Sequence, residues 1–234
     1  MSRKAPRSFL SATSAAGLRA GAGLALLLAA LPLGGCALTG RGKTLEPRYF
    51  SADIATPSAP HSDHAPATPS AGDESMSLRL GRIRAGGGLK EEIVYRTSSH
   101  ELGFYEEYRW AERPEEYLRR GLVQSLFTER NLKQSLVSAA PTLDVELVSF
   151  EEVRGAHPVA HVTLMAALHD ERVVRYFRTV EVQRPLPADG GIVEPTALAA
   201  TLTEALAEAV RTVSDDIVRE LGAAALNRPK SALP

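Results

Sequence analysis

The clearest periodicity lies near the C-terminal end. Leu198, Leu202, Leu206, Val210, Val213, Ile217 and Leu221 recur at three- and four-residue spacing, with Glu204, Glu208, Arg211, Asp215 and Arg219 off that stripe. The spacing predicts an amphipathic helix over residues 196–221, with Gly222 as its stop. Its polar side lacks the Lys/Arg excess of a membrane-surface helix, so the stripe is expected to dock on a sheet. A shorter stripe, Tyr117, Leu118, Gly121, Leu122, Ser125 and Leu126, follows Pro114, whose fixed φ suits a first helical position. Glu115 and Glu116 favour the positive end of that helix's dipole.

Elsewhere the period is two, the signature of half-buried strands. Leu78, Leu80 and Ile83 alternate with one step out of phase, which predicts a bulged strand ended by Gly86-Gly87-Gly88. Residues 92–98 and 101–110 read as the next two strands, and simple alternation puts Leu102, Phe104, Tyr108 and Trp110 on one face. Residues 132–137 read as a short strand. Leu143, Val145 and Leu147 mark another, and Val162, Leu164, Ala166 and Leu168 another. Val174, Tyr176, Val180 and Val182 share the parity of a last one, joined to its predecessor by a hairpin-length turn at residues 169–172. Pro185, Pro187 and Gly190-Gly191 end this region. Before it, Arg48, Tyr49, Phe50 and Ser51 form a short β-prone segment.

The first residues carry a different signal. Arg3, Lys4, Arg7 and Arg19 precede an apolar run at 22–33. That run is shorter than the ~20 residues a spanning helix needs, and its flanks are those of a secretory signal. Leu33-Gly34-Gly35-Cys36 then resembles the bacterial lipobox, in which the cysteine receives a diacylglycerol before signal cleavage. Cys36 is the chain's sole cysteine, which also excludes a disulfide framework and a thiolate zinc cage. Residues 1–35 are therefore expected to be a lipoprotein signal peptide and 36–46 a lipidated, polar tether, with acyl chains such as palmitate holding the protein to a membrane that it does not span. Ala37, where an Asp would favour the inner membrane, points to the periplasmic face of the outer membrane. Residues 53–75, rich in Ala, Pro and Ser, are expected to be a flexible loop. His61 and His64 within it have no third ligand nearby, so no metal site is expected.

Charge narrows the functional classes. The 27 basic and 28 acidic residues nearly balance, but four of the basic ones belong to the leader, leaving an acidic body. That argues against nucleic-acid binding. No metalloprotease helix, nucleophile elbow or dinucleotide fingerprint is present. Glu106-Glu107 and Glu151-Glu152 are adjacent carboxylates on strand-like segments, whose neighbours point to opposite faces, and they read as solvated charge.

The stretch Glu92-Ile93-Val94-Tyr95-Arg96, Glu101-Leu102-Gly103-Phe104-Tyr105 and Arg109-Trp110-Ala111-Glu112-Arg113-Pro114 resembles the auxiliary lipoprotein component of ABC-type intermembrane transport systems, the Pqi-type lipoproteins that accompany mammalian-cell-entry (MCE) domain proteins. The β-prone Tyr49-Phe50, Leu78-Arg79-Leu80-Gly81-Arg82-Ile83 and the closing Ala/Leu-rich helix fit it too, so the resemblance covers roughly residues 47–221. It implies an α/β (α+β) fold: one compact domain over 47–222, a mixed sheet with two main amphipathic helices packed on it, followed by a tail at 223–234. It implies a non-catalytic role in moving lipids or apolar solutes between membranes, with no cofactor and with an MCE-domain protein and ABC permease and ATPase subunits as partners. Assembly of several copies stays open. So does a different envelope lipoprotein of similar build, acting in outer-membrane assembly or in regulating cell-wall synthesis.

Trp110 is expected in the core beside the Pro114 helix. Gly103, Tyr105, Glu107 and Arg109 are expected on the opposite strand face, where Tyr105 and Arg109, with Arg96 on the neighbouring strand, form a candidate protein interface.

Overall fold

The computed structural model describes residues 46–54, 76–137, 139–189 and 192–226. Cys36 and the lipobox, the lipidated tether up to residue 45, most of the Pro/Ala loop with His61 and His64, and the C-terminal tail beyond 226 lie outside them. In chain order the elements are β1 (Arg48–Phe50), β2 (Ser77–Ala85), β3 (Glu92–Ser98), β4 (Glu101–Trp110), α1 (Pro114–Val123), a π-helical turn (Gln124–Glu129), β5 (Lys133–Gln134), β6 (Thr142–Val153), β7 (Val159–His169), β8 (Val174–Pro185), the small hairpin β9–β10 (Ala188–Asp189, Ile192–Val193) and α2 (Pro195–Leu226). The α+β mixed sheet with two helices matches the expectation.

The sheet is organised by β6. One edge of β6 pairs antiparallel with β7 along its whole length, and β7 pairs antiparallel with β8. The other edge is shared. Its first half pairs parallel with β2, from Arg79 opposite Thr142 to Ala85 opposite Leu147. Its last residues pair parallel with β3, from Val94 opposite Glu151 to Arg96 opposite Val153. β2 and β3 thus succeed each other along one strand. The glycine segment expected to end β2 does so, with Gly86 N–H donating to Leu147 O at 2.8 Å. β5 pairs parallel with the first residues of β2, while β4 pairs antiparallel with β3 and carries β1 in parallel. The sheet therefore has a body (β2, β5–β8) and a wing (β1, β3, β4).

The helices lie on one face, against β2, β6, β7 and β8. All seven residues of the expected α2 stripe are buried, beside Leu143, Val145, Leu147, Val162, Leu164, Ala166 and Leu168. α2 runs four residues past Gly222, since an isolated glycine weakens a helix without having to end it. Pro114 opens α1 as expected, with Glu115 and Glu116 in its first turn. The stripe at Ser125 and Leu126 stays buried through the π-helical turn. Asn131, at φ 53°, then turns the chain towards β5.

Two strand expectations are corrected. The strand expected over 132–137 shrinks to Lys133–Gln134, and Leu136 is exposed because its sequel leaves the sheet. Val174 does not share the inward parity of Tyr176, Val180 and Val182: a bulge opposite His169 reverses it and leaves Val174 exposed. β6 takes in the strand-like Glu151-Glu152 segment, and an irregular step at Val148 lets Phe150 return to the core. The bulge expected in β2 lies between Leu80 and Ile83.

Candidate functional site

The wing meets the body at a three-residue pairing of β3 with β6, and the side chains there repeat a simple logic on both faces. Glu151 and Glu152, consecutive on β6, point to opposite sides of the sheet. Each is about 3% exposed. The expectation that they are solvated charge is overturned: the wing and β7 close over them, and both carboxylates are consumed by partners from the wing and its surroundings.

On the open face, Arg96 grips Glu151 with two bonds, Nε to Oε1 at 2.8 Å and Nη2 to Oε2 at 3.1 Å. His161 approaches the same carboxylate through Nδ1 at 3.5 Å. Burial pushes the Glu151 carboxyl up, but the hydrogen bonds from His161 and Arg96 more than cancel it and hold the group below its ordinary range. On the helix side, the Tyr105 hydroxyl donates to Glu152 Oε2 at 2.6 Å, and Arg154 Nε donates to the same oxygen at 3.1 Å. Burial, then the bond to Glu152, push the Tyr105 hydroxyl up to about 12.

Arg154 also lies over the Tyr95 ring, 3.4 Å from its centroid, and 4.9 Å from that of Tyr105. The rings continue as a pile: Tyr95 edge-on to Tyr105 at 5.3 Å, Tyr105 against Tyr108 at 5.0 Å, and Tyr108 edge-on to Phe50 of β1 at 6.1 Å. Gly103 is what lets Tyr95 lie down on β4, since a Cβ there would run into the Tyr95 ring. Trp110 ends this side of the wing, stacked on Phe150 at 4.8 Å and edge-on to Tyr117 of α1 at 6.0 Å. It is buried, as expected. The residues after β1 are pinned as well: Ile54 fills the notch that Gly121 leaves in α1.

The interface trio is divided by this geometry. Between Phe104, opposite Val94, and Arg109, opposite Glu92, β4 spends five residue steps against two of β3. Alternation fails across that irregularity. Phe104 falls on the open face with Leu102, whereas Tyr108 and Trp110 join Tyr105 on the helix side. Arg109 is on the open face, bonded to Glu92 Oε1 at 2.8 Å. Arg96 and Arg109 therefore share the open face, flanking Leu102 and Phe104, each 45% exposed, and Tyr105 lies behind them. The residues that grip the two carboxylates were visible in the sequence only separately, as the pair Glu151-Glu152 and as the Arg- and Tyr-bearing segment 95–109. What alternation could not supply was the pairing of β3 with the end of β6.

Elsewhere the open face bears a shallow depression of about 140 Å³, lined by Arg82, Arg84, Asp144, Glu146, Met165 and Phe177 among others. Among the described residues no group of three or more His, Cys, Asp or Glu side chains is placed to hold a metal ion, and no helix is long and apolar enough to cross a membrane.

The comparisons with known proteins agree with this architecture. The family model of the ABC-type transport auxiliary lipoprotein component matches residues 61–218. The chain belongs to that family. No curated protein matches it. Among solved structures, a DUF330-family protein from Xanthomonas campestris is 20% identical, over 77% of this chain and 99% of the other, at a TM-score of 0.61. An uncharacterized protein is 17% identical over 61% and 92%, at 0.53. At these identities the likeness is one of fold.

Proposed function

We propose that this chain is the lipid-anchored, non-catalytic accessory subunit of an ABC/MCE-type system that moves lipids or related apolar solutes between the two envelope membranes. Cys36 holds it on the periplasmic face of the outer membrane. The observation that carries the reading is the family match over residues 61–218, and the lipobox at the sole cysteine agrees with it. On this reading an MCE-domain protein, with ABC permease and ATPase subunits, is the partner, and the wing is the contact surface. Its open face presents Leu102 and Phe104 between Arg96 and Arg109, an apolar centre in a charge-paired rim of the kind interfaces use.

The test is capture of the tagged full chain from detergent-solubilised membranes, with the co-purifying proteins identified by mass spectrometry. The expected result is an MCE-domain protein with its permease and ATPase. Recovery of outer-membrane assembly or cell-wall synthesis factors alone overturns the transport reading. A Cys36→Ala variant is expected to lose the acylated mass and its outer-membrane fractionation; if it matures and fractionates like the parent, the anchor is elsewhere.

A further inference from the structure

We propose that Arg96, Glu151, His161 and Glu181, one residue from each of β3, β6, β7 and β8, form a proton-operated brace across the open face of the sheet. In mildly acid surroundings the His161 imidazolium ties Glu151 to Glu181, and loss of its proton releases that tie.

The geometry places a carboxylate at each ring nitrogen. Nδ1 is 3.5 Å from Glu151 Oε1, and Nε2 is 3.1 Å from Glu181 Oε1. Thr163 Oγ1, on the same strand, is 3.2 Å from Nε2. Ionised carboxylates accept and do not donate, so a ring facing two of them is satisfied at both nitrogens in its doubly protonated form. In the neutral Nδ1–H tautomer the Nε2 lone pair can accept only from the Thr163 hydroxyl and no longer bonds Glu181. The ring has little freedom to turn away to water, since its side chain is 17% exposed and that of Glu151 is 4% exposed.

The charged groups around His161 are few. β6 contributes Glu151, β8 contributes Glu181, and β3 contributes Arg96 through its grip on Glu151. Gln183, opposite His161 on β8, is uncharged and donates to Glu181 at 2.7 Å. With the ring protonated, two cations face two anions. Without it, Arg96 remains as the one cation of the row against two carboxylates. In agreement, the hydrogen bond to Glu151 raises the basicity of His161; burial opposes this, and the charges of Glu181 and Glu151 reinforce it. The sign follows from linkage. A histidine more basic in the folded chain than in the unfolded one contributes its full stability below the ordinary histidine pKa of about 6.5 and loses it as pH rises through the folded value. Because β3 pairs with β6 over three residues, a slackened Glu151 is felt where the wing joins the body. The inference concerns the fold's own response and does not rest on the transport reading.

The experiment is a series of melting curves of the full chain between about pH 5.5 and 8.5, the span in which histidines titrate. The parent is expected to lose several degrees as the pH rises, and His161→Gln to lose most of that dependence. His100→Gln is the control, because His100, exposed in the β3–β4 turn, has the Ser99 hydroxyl and no carboxylate at its Nδ1, and the variant should keep the parent's slope. A His161→Gln protein with the parent's slope overturns the proposal. NMR titration of the His161 ring gives a second reading that survives a poorly folding variant. The midpoint should lie above that of an ordinary histidine and fall in Glu181→Gln, whose site is exposed. A midpoint at or below the ordinary value, or one unmoved by Glu181→Gln, overturns it equally.

Discussion

The body and the wing of this sheet are held by different physics. In the body, aliphatic residues of α2 lie on aliphatic residues of β6 and β7, and the ion pairs line the flank between α2 and β8: the buried Asp216 accepts from Tyr176 and Arg178, and Arg184 reaches Glu204 and Glu208. The wing has little aliphatic content and carries seven of the chain's thirteen aromatic residues. It is joined to β6 by three residue pairs, two buried carboxylates, a row of rings in edge-on and tilted contact, and Trp110 stacked on Phe150. Non-directional burial tolerates imprecise geometry; charge-assisted bonds to buried groups do not, because an unmatched partner left behind costs more than the pair contributed. Perturbing the body should therefore unfold everything, while perturbing the junction should loosen the wing first.

The largest effect is expected from Leu206→Asp in α2. Leu206 is fully buried; truncation of such a residue to Ala typically costs ~2–5 kcal/mol, and a carboxylate placed there adds its desolvation. Loss of the cooperative thermal transition by circular dichroism is expected. A parent-like melting temperature would mean that the stripe does not hold the body together.

Next comes Glu151→Ala, which strands Arg96 and removes the carboxylate behind His161. Breaking a fully buried pair costs about 3–5 kcal/mol; Arg96 is 30% exposed and keeps some water, so the loss should fall below that range. Unlike Leu206→Asp, it should act locally: amide exchange should quicken in β3 and β4 while the centre of α2 keeps its protection. Uniform acceleration throughout the chain would show that wing and body unfold as one unit.

A smaller change separates ring packing from charge. Gly103→Ala pushes a methyl into the Tyr95 ring, and overpacking of this kind costs about 1–3 kcal/mol. In a Tyr95→Ala background the same substitution should be nearly free. Additive losses in that double-mutant cycle, measured by urea unfolding, would mean that Gly103 matters for backbone reasons instead.

How much of this was legible in the sequence follows the same division. The body was, because its packing is periodic: the α2 stripe, the β7 alternation and the Pro114 start all recur in the structure. The wing was legible in its elements but not in its faces. An irregular stretch between Phe104 and Arg109 has no marker in a run of aromatic and charged residues, so alternation grouped Phe104 with Trp110 and put Tyr105 beside Arg109. Glu151 and Glu152 looked like surface charge because their partners, Arg96 and Tyr105, lie 55 and 47 residues away. Distant polar pairing leaves no period to read.

The smallest effect on stability, and the sharpest test of what the wing is for, is expected at Arg109. Its bond to Glu92 lies at the sheet surface, where both side chains are about 30% exposed, and such pairs contribute ~0.2–1 kcal/mol. Arg109→Ala should therefore melt within a degree or two of the parent. Tyr105→Ala, on the other face, removes a half-buried hydroxyl from the buried Glu152 and a ring from the pile, and should melt clearly lower. The two variants thus pull apart what lies on the two faces of one strand. If the open face meets the partner, Arg109→Ala, alone or with Phe104→Ser, weakens co-purification of the transport subunits without touching stability, and Tyr105→Ala weakens it in proportion to its loss of fold. If both variants instead retain partner in proportion to the folded protein remaining, the open face of the wing is solvated surface and the contact lies elsewhere on the domain.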